Sequence, residues 1–307
     1  MGGDIYEQNY VGTRWKMLLY KGGIFTKRIL CPIGCRSDEG LSAPVIKRLR
    51  EHFITLPVDL APQDFLTSYQ LIDAICKVDP PDLILITGDR VEMCAAAAAA
   101  FHNKIPIAHF YAGIINDPVT TYDDVDRHCI TLWSDIQFCE DRCSAIRTNM
   151  LKQACELPSN VHIVGISHLD DLEVDESKVP DYPYHLILMN EPSLRENEIY
   201  SVHEHILDLN TDIRSIAIGG NPETTFAWKP CPMNLYYPNL PRPQFMGLLK
   251  NCKRFITNSS AAIYEAPHFL KSEQIVMVGD RNRNRPKGPF KNGASDRIVE
   301  ILKEYLK

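Results

Sequence analysis

The residues best suited to chemistry start at Gly88-Asp89-Arg90, where an apolar run ends and an alanine-rich one begins. Asp89 can cap a helix there or move a proton. Functional use is favoured, because ligands of open α/β sheets bind beyond the carboxyl ends of strands. His109–Gly113 close the next apolar run on the same edge. A second cluster is Asp123-Asp124-Val125-Asp126-Arg127-His128. Acids suit the positive end of a helix, yet three carboxylates, an arginine and a histidine in six residues exceed what capping needs. Gly34-Cys35-Arg36-Ser37-Asp38 reads as a strand-to-helix turn whose N–H groups, with Arg36 beside them, can receive an anion. Asn258-Ser259-Ser260 at a helix start can donate to a diphosphate or serve as plain caps. Glu265 lies farther along that helix and suits hydroxyl groups such as a ribose diol.

These residues need a scaffold that brings strand ends together. Leu83–Thr87 is a continuous apolar run, as in a strand buried on both faces of a parallel sheet. Ala95–Ala100 are good helix formers with little bulk, so this helix can lie close to the sheet. Ile105–Ala108 returns as the next strand, completing a βαβ unit. Upstream, Arg28–Ile33 reads as a strand, Ala43–Arg50 as a helix, Phe53–Leu60 as a strand and Ser68–Lys77 as a helix. Residues 1–27 show no clear periodicity and read as an arm packing on the body or on another subunit. Downstream come a helix from Asp123 to about Ser134, strand Ile136–Cys139, helix Cys143–Gln153 and strand Val161–Val164. Residues 173–184, rich in proline and acid, read as a linker.

A second α/β series follows: Leu186–Met189, helix Glu198–Leu209, Ile213–Ile218, helix Arg242–Asn251, Phe255–Thr257, helix Ala261–Phe269 and Gln274–Val278. An amphipathic helix, Ser295–Leu306, ends the chain. The expected organisation is α/β, with Rossmann-like domains at 28–172 and 185–294 facing a central cleft of the GT-B kind. The last helix, 295–307, packs back across them.

At 307 residues the chain has room for two domains. Its 45% hydrophobic and 23% charged content fits a soluble globular protein. A net charge of −6 argues against nucleic-acid or anionic-membrane binding through bulk charge. No window approaches a membrane span, and Met1–Arg28 lacks the apolar core of a secretory signal. The ten cysteines then read as reduced thiols in a cytoplasmic protein. The C-x3-C pairs Cys31/Cys35 and Cys139/Cys143 flank predicted strand ends, where cysteine serves as a small core residue, so no metal is expected.

Gly-Asp-Arg-x-Glu before an alanine-rich helix, then Ile-Pro-Ile-Ala-His, resembles the UDP-N-acetylglucosamine 2-epimerase family. Asp123-Asp124-Val125-Asp126-Arg127-His128-Cys129-Ile130-Thr131 resembles a motif of its hydrolysing branch, which feeds sialic-acid-type sugars. So does Thr257-Asn258-Ser259-Ser260 through Glu265-Ala266-Pro267, with Gly279-Asp280-Arg281 and Arg285 beyond it. The likeness runs from about Arg28 to the C-terminus. It implies anti-elimination of UDP across C1–C2 to a glycal, then hydration to an N-acetylmannosamine-type sugar. It also implies a UDP-sugar substrate, no cofactor and a homodimer through the first domain. By position, Asp89 and Asp124 are the acid/base carboxylates, and Arg127 and His128 shape the sugar end. Arg36, Ser259, Ser260 and Arg281 hold the diphosphate, and Glu265 the ribose.

The chain departs from the family where sugar chemistry is done. A Glu-Ala-Gly or His-Gly-Gly-Glu turn is replaced by His109-Phe110-Tyr111-Ala112-Gly113-Ile114, which has no acid. A family histidine is replaced near Gly219, and a His-Pro reads Asn190-Glu191-Pro192. Three readings follow: a hydrolysing epimerase in which Tyr111 or Glu191 replaces a missing group, a GT-B glycosyltransferase, or a nucleotide-sugar-binding protein without turnover. Tyr111 qualifies as a general acid if its surroundings lower its pKa.

Overall fold

Two parallel sheets carry the chain. The computed structural model describes residues 5–10, 13–18, 26–34, 36–60, 64–116, 122–190, 213–219, 235–286, 288 and 290–307, with side chains from 26 onward except those of 36–38. The first sheet contains β3 (Arg28–Ile33), β4 (Ile54–Asp59), β5 (Leu83–Thr87), β6 (Ile107–Phe110), β7 (Ile136–Cys139) and β8 (Val161–Ile163). Its spatial order is β4-β3-β5-β6-β7-β8, every pair parallel. Connecting helices are α1 (Arg36–Leu49), α2 (Phe65–Val78), α3 (Val91–His102), α4 (Asp123–Trp133) and α5 (Arg142–Ala154). The second sheet runs β11 (Leu235–Tyr237), β10 (Arg214–Ile218), β9 (Tyr184–Leu188), β12 (Arg254–Thr257), β13 (Ile275–Met277), again parallel.

Each order reverses direction once, and that position is where an open α/β sheet leaves a crevice for ligand. In the first sheet it lies between β3 and β5, in the second between β9 and β12. Asp89 follows β5. Asn258 follows β12.

The alanine helix behaves as its composition requires. Ala95 through Ala100 are all buried, at most 4% exposed, so backbone and methyl groups alone fill the space under the sheet. Gly113 allows a second close approach. Its φ is +76°, and a Cβ there would stand 2.2 Å from the Ser144 carbonyl oxygen. The final helix, α9 (Ala294–Tyr305), sends Ala294, Ile298, Val299 and Leu302 into the first core, against Ile29, Val45 and Leu49.

Several elements differ from their expected bounds, and β6 runs Ile107–Phe110 where Ile105–Ala108 was expected, which puts His109 inside the strand. Ile5–Tyr10 and Thr13–Leu18 form an antiparallel hairpin, β1–β2, where an arm without regular structure was expected. Helix α1 begins at Arg36 rather than Ala43 and runs through Pro44. Leu235–Tyr237 adds an edge strand too short to show a period. The expected helix Ala261–Phe269 breaks at Glu265 into α7 (Ala261–Tyr264) and α8 (Ala266–Phe269), because Pro267 brings no N–H to continue the ladder. The α6 helix (Arg242–Asn251) matches its expected bounds. The expected helix Glu198–Leu209, Glu191, Gly220–Pro222 and the Arg36 side chain lie outside the described residues. Among the described residues no helix is long and apolar enough to cross a membrane.

Candidate functional site

At the first crevice the turn after β5 is held from below. Gly88 takes a left-handed φ of 86°, and its carbonyl accepts a hydrogen bond from His109 Nε2 at 2.9 Å. That bond places the proton on Nε2, leaving Nδ1 facing Thr131 Oγ1 at 3.1 Å. Burial lowers the His109 pKa to about 4, so the ring is neutral at physiological pH. Asp89 Oδ2 pairs with Arg127 Nη2. Arg127 Nη1 donates to the Tyr111 carbonyl at 2.9 Å. One buried guanidinium on α4 therefore ties together the ends of β5 and β6. Burial lowers its pKa to about 9, which leaves it charged at neutral pH and Asp89 with an ionised partner. Arg90 Nη2 lies 3.1 Å from Oε1 of Glu92, which is buried in α3.

The other first-unit candidates are engaged in different ways. Both Asp124 oxygens accept from the Asn116 N–H, at 3.0 and 2.9 Å. Burial pushes Asp124 up to about 6 against the pull of that bond and of Arg285. His128 is lowered to about 4 by burial, helped by Arg127 and Arg147, and its Nδ1 has no hydrogen-bond partner. Tyr111 takes a left-handed φ of 69° and points its hydroxyl inward. That oxygen accepts from Ser167 N at 3.0 Å and meets His168 Nδ1 at 2.9 Å. Burial raises the phenol pKa, the opposite of what a tyrosine acid requires, so the hydroxyl works here as a brace.

The second crevice is built from amides and hydroxyls. Asn190 N donates to Asn258 Oδ1 at 2.7 Å, and Asn258 Nδ2 returns a bond to the Asn190 carbonyl at 2.6 Å. This reciprocal pair bridges the ends of β9 and β12. Ser259 Oγ accepts from Ala261 N at 3.3 Å, whereas Ser260, at the N-cap, makes no capping bond with its side chain. Glu265 is buried and paired at 3.0 Å with Arg242, a residue the sequence reading did not select. Arg242 also donates to the His168 carbonyl at 2.6 Å.

The two rims touch. Arg281 Nη2 lies 3.3 Å from Asp123 Oδ2. Arg285 donates to the Asn116 side-chain oxygen through Nε and to the Tyr264 hydroxyl through Nη1, the latter at 3.0 Å. Tyr264 donates to Glu140 Oε2 at 2.7 Å and stacks on His168 with ring centroids 4.2 Å apart. Asn116, Glu140, His168, Arg242 and Tyr264 come from separate elements and share no motif. Only Glu140 left a signal, as an acid directly after an apolar strand. Among the described residues no group of three or more His, Cys, Asp or Glu side chains is placed to hold a metal ion.

Residues 67–307 match the family model described as UDP-N-acetylglucosamine 2-epimerase. A UDP-N,N'-diacetylbacillosamine 2-epimerase (hydrolyzing) of Legionella pneumophila is 24% identical, covering 91% of this chain and 86% of that protein. A UDP-N-acetylglucosamine 2-epimerase of Neisseria meningitidis is 28% identical, over 68% of this chain and 58% of that protein. Among solved structures, the Methanocaldococcus jannaschii UDP-GlcNAc 2-epimerase in complex with UDP-GlcNAc and UDP superposes with a TM-score of 0.72. It is 16% identical and covers 90% of this chain and 99% of its own. The Neisseria meningitidis enzyme bound to UDP-GlcNAc gives 0.70, at 16% identity, 90% of this chain and all of that one. At such identities the structures establish the GT-B-like fold.

Proposed function

The chain belongs to the UDP-N-acetylglucosamine 2-epimerase family, and from that premise we propose that it is a hydrolysing 2-epimerase of UDP-N-acetylglucosamine or a diacetamido relative. UDP leaves by elimination to a glycal, and water then adds to give the free 2-epimer. The observation that carries this reading is the Asp89–Arg127 pair at the strand ends of the first sheet, with the two rims joined by Arg281–Asp123 and Arg285–Asn116. A carboxylate fixed by a buried guanidinium is a positioned base for the C2 proton. An uncharged turn of amides and hydroxyls suits a diphosphate that must be gripped and then released.

In this reading Asp89 moves the C2 proton. Asp124, next to Asn116, assists with a carboxyl that burial brings close to neutral pH. Arg127 and His128 bound the sugar. Ser259, Ser260, Arg36 and Arg281 hold the diphosphate, with Arg281 exchanging its contact to Asp123 for phosphate oxygens. Glu265, oriented by Arg242, receives the ribose hydroxyls. Two relatives whose names carry the hydrolysing activity support this branch. A nucleotide-sugar-binding protein without turnover is the second reading, favoured by the turn after β6, where Tyr111-Ala112-Gly113-Ile114 carries no acid.

Incubation with UDP-N-acetylglucosamine in deuterated water, followed by NMR, tests the assignment. Free UDP with a 2-epimer deuterated at C2 is expected. Thermal stabilisation by the ligand without UDP release would replace this reading with the binding one, and release only with an added acceptor would indicate a glycosyltransferase.

A further inference from the structure

A hydrolytic epimerisation needs one group to take the C2 proton and another to return a proton to the opposite face. The turn after β6 supplies none, and both oxygens of Asp124 already accept from the Asn116 N–H. Tyr111-Ala112-Gly113-Ile114 has no acid, and Ile114 is packed in the core. The neighbouring strand ends differently. Glu140 directly follows β7, on the same carboxyl edge as Asp89 and Tyr111, and is 2% exposed. Its Oε2 accepts from the Tyr264 hydroxyl at 2.7 Å, and that hydroxyl accepts in turn from Arg285. Its Oε1 has no hydrogen-bond partner. A buried acceptor left idle calls for an explanation. Among the described residues no cation pairs with Glu140 directly, and Arg127 and Arg285 reach it only through their fields. Burial raises its carboxyl pKa. Asp89, with a guanidinium on it, and Glu140, without one, are thus two carboxyl groups in opposed environments, the arrangement that separates a base from an acid. Tyr264 and Arg285, which cover Glu140, belong to the facing unit, so its carboxyl lies between the two rims.

We propose that Glu140 is the second proton carrier, donating to C2 of the glycal after Asp89 has removed the original proton. This rests on the elimination–hydration reading above. In the first step Asp89 takes the C2 proton, the C2–H pair becomes the C1=C2 bond, and the C1–O bond breaks with its pair going to UDP. In the second, a water oxygen bonds to C1 and the π pair takes the Glu140 proton at C2. The proton shed by the water restores Glu140, and the proton on Asp89 passes to solvent.

The test is Glu140→Gln in the full chain, with UDP-N-acetylglucosamine in deuterated water followed by proton and phosphorus NMR. Glutamine keeps an acceptor for Tyr264 and nearly the same volume, so a purely structural role survives the change. UDP release is expected to stay within about tenfold of wild type while 2-epimer formation falls at least ~100-fold and the glycal accumulates. Epimer formed at the wild-type rate overturns the proposal. So does an equal loss of both steps in a variant that binds UDP and unfolds like wild type. A wild-type protein that releases no UDP removes the elimination reading and this proposal with it, whereas wild-type turnover with either previous outcome removes Glu140 alone. If Glu140→Gln does not fold, Tyr264→Phe takes its place. It removes the donor to Oε2 and keeps the ring, and it is expected to raise the glycal-to-epimer ratio. An unchanged ratio overturns the proposal.

Discussion

The two crevices occupy the same topological position in their sheets and are furnished in opposite ways. The first holds buried ionisable groups: Asp89 against Arg127, Asp124 raised by burial, and neutral His109 and His128. The second is lined at its strand ends by Asn190, Asn258, Ser259 and Ser260, none of which titrates. Burying charge is costly unless each group is paired or neutralised, and in the second crevice the buried acid, Glu265, is set back from the strand ends and paired with Arg242. Gripping a diphosphate needs donors of fixed direction, and amides and hydroxyls provide them at less desolvation cost. One fold element, used twice, thus separates reactivity from retention.

The sharpest way to break this contrast is Asp89→Asn. UDP release is expected to fall by ~10²- to 10⁴-fold while UDP affinity, measured by calorimetry, stays unchanged. Retained turnover would place the base elsewhere. Arg127→Met should follow in size, because it strands Asp89 and frees the Tyr111 carbonyl. Losing one partner of a buried pair costs about 3 kcal/mol or more, which urea unfolding at pH 7 reads directly.

His109 probes the same rim through pH. Its folded pKa of about 4 lies below the ordinary value of 6.5. The stability this gives is therefore complete above pH 6.5 and is lost as pH falls towards 4, by up to about 3 kcal/mol. His109→Gln should flatten that acid loss relative to wild type in unfolding curves taken between pH 7 and 4. Parallel curves would mean the imidazole is not held neutral. The smallest effect belongs to the second crevice. Ser259→Ala should weaken UDP binding by roughly three- to tenfold, one hydrogen bond's worth, with the rate of bound substrate unaltered.

Legibility in the sequence followed the reach of each interaction. Leu83–Thr87 matches its expected bounds because an apolar run between turn residues has few other uses. The β1–β2 hairpin escaped because its strands mix aromatic, charged and polar residues, and the pairing is decided between strands, not within one. Helix α1 starts seven residues before its expected bound because Gly40 resembles loop punctuation, yet the helix continues through it. In the site, Asp89 and Arg127 were legible from local motifs, but their pairing across 38 positions was not. Glu265 was read as open to a ligand because nothing near it in sequence reveals Arg242. Tyr111 was credited with chemistry from its position alone, while its hydroxyl is bound by Ser167 and His168, more than fifty positions away.

The return of helix α9 to the first core has a consequence for how the protein is made. Ile298 and Leu302 complete a hydrophobic cluster that starts at Ile29, with the whole second sheet lying between them in the chain. A ribosome releases residues in order, so the first unit stays unfinished, with apolar side chains uncovered, until the last helix emerges. The second unit, whose core is drawn from Tyr184 to Leu270, can close earlier.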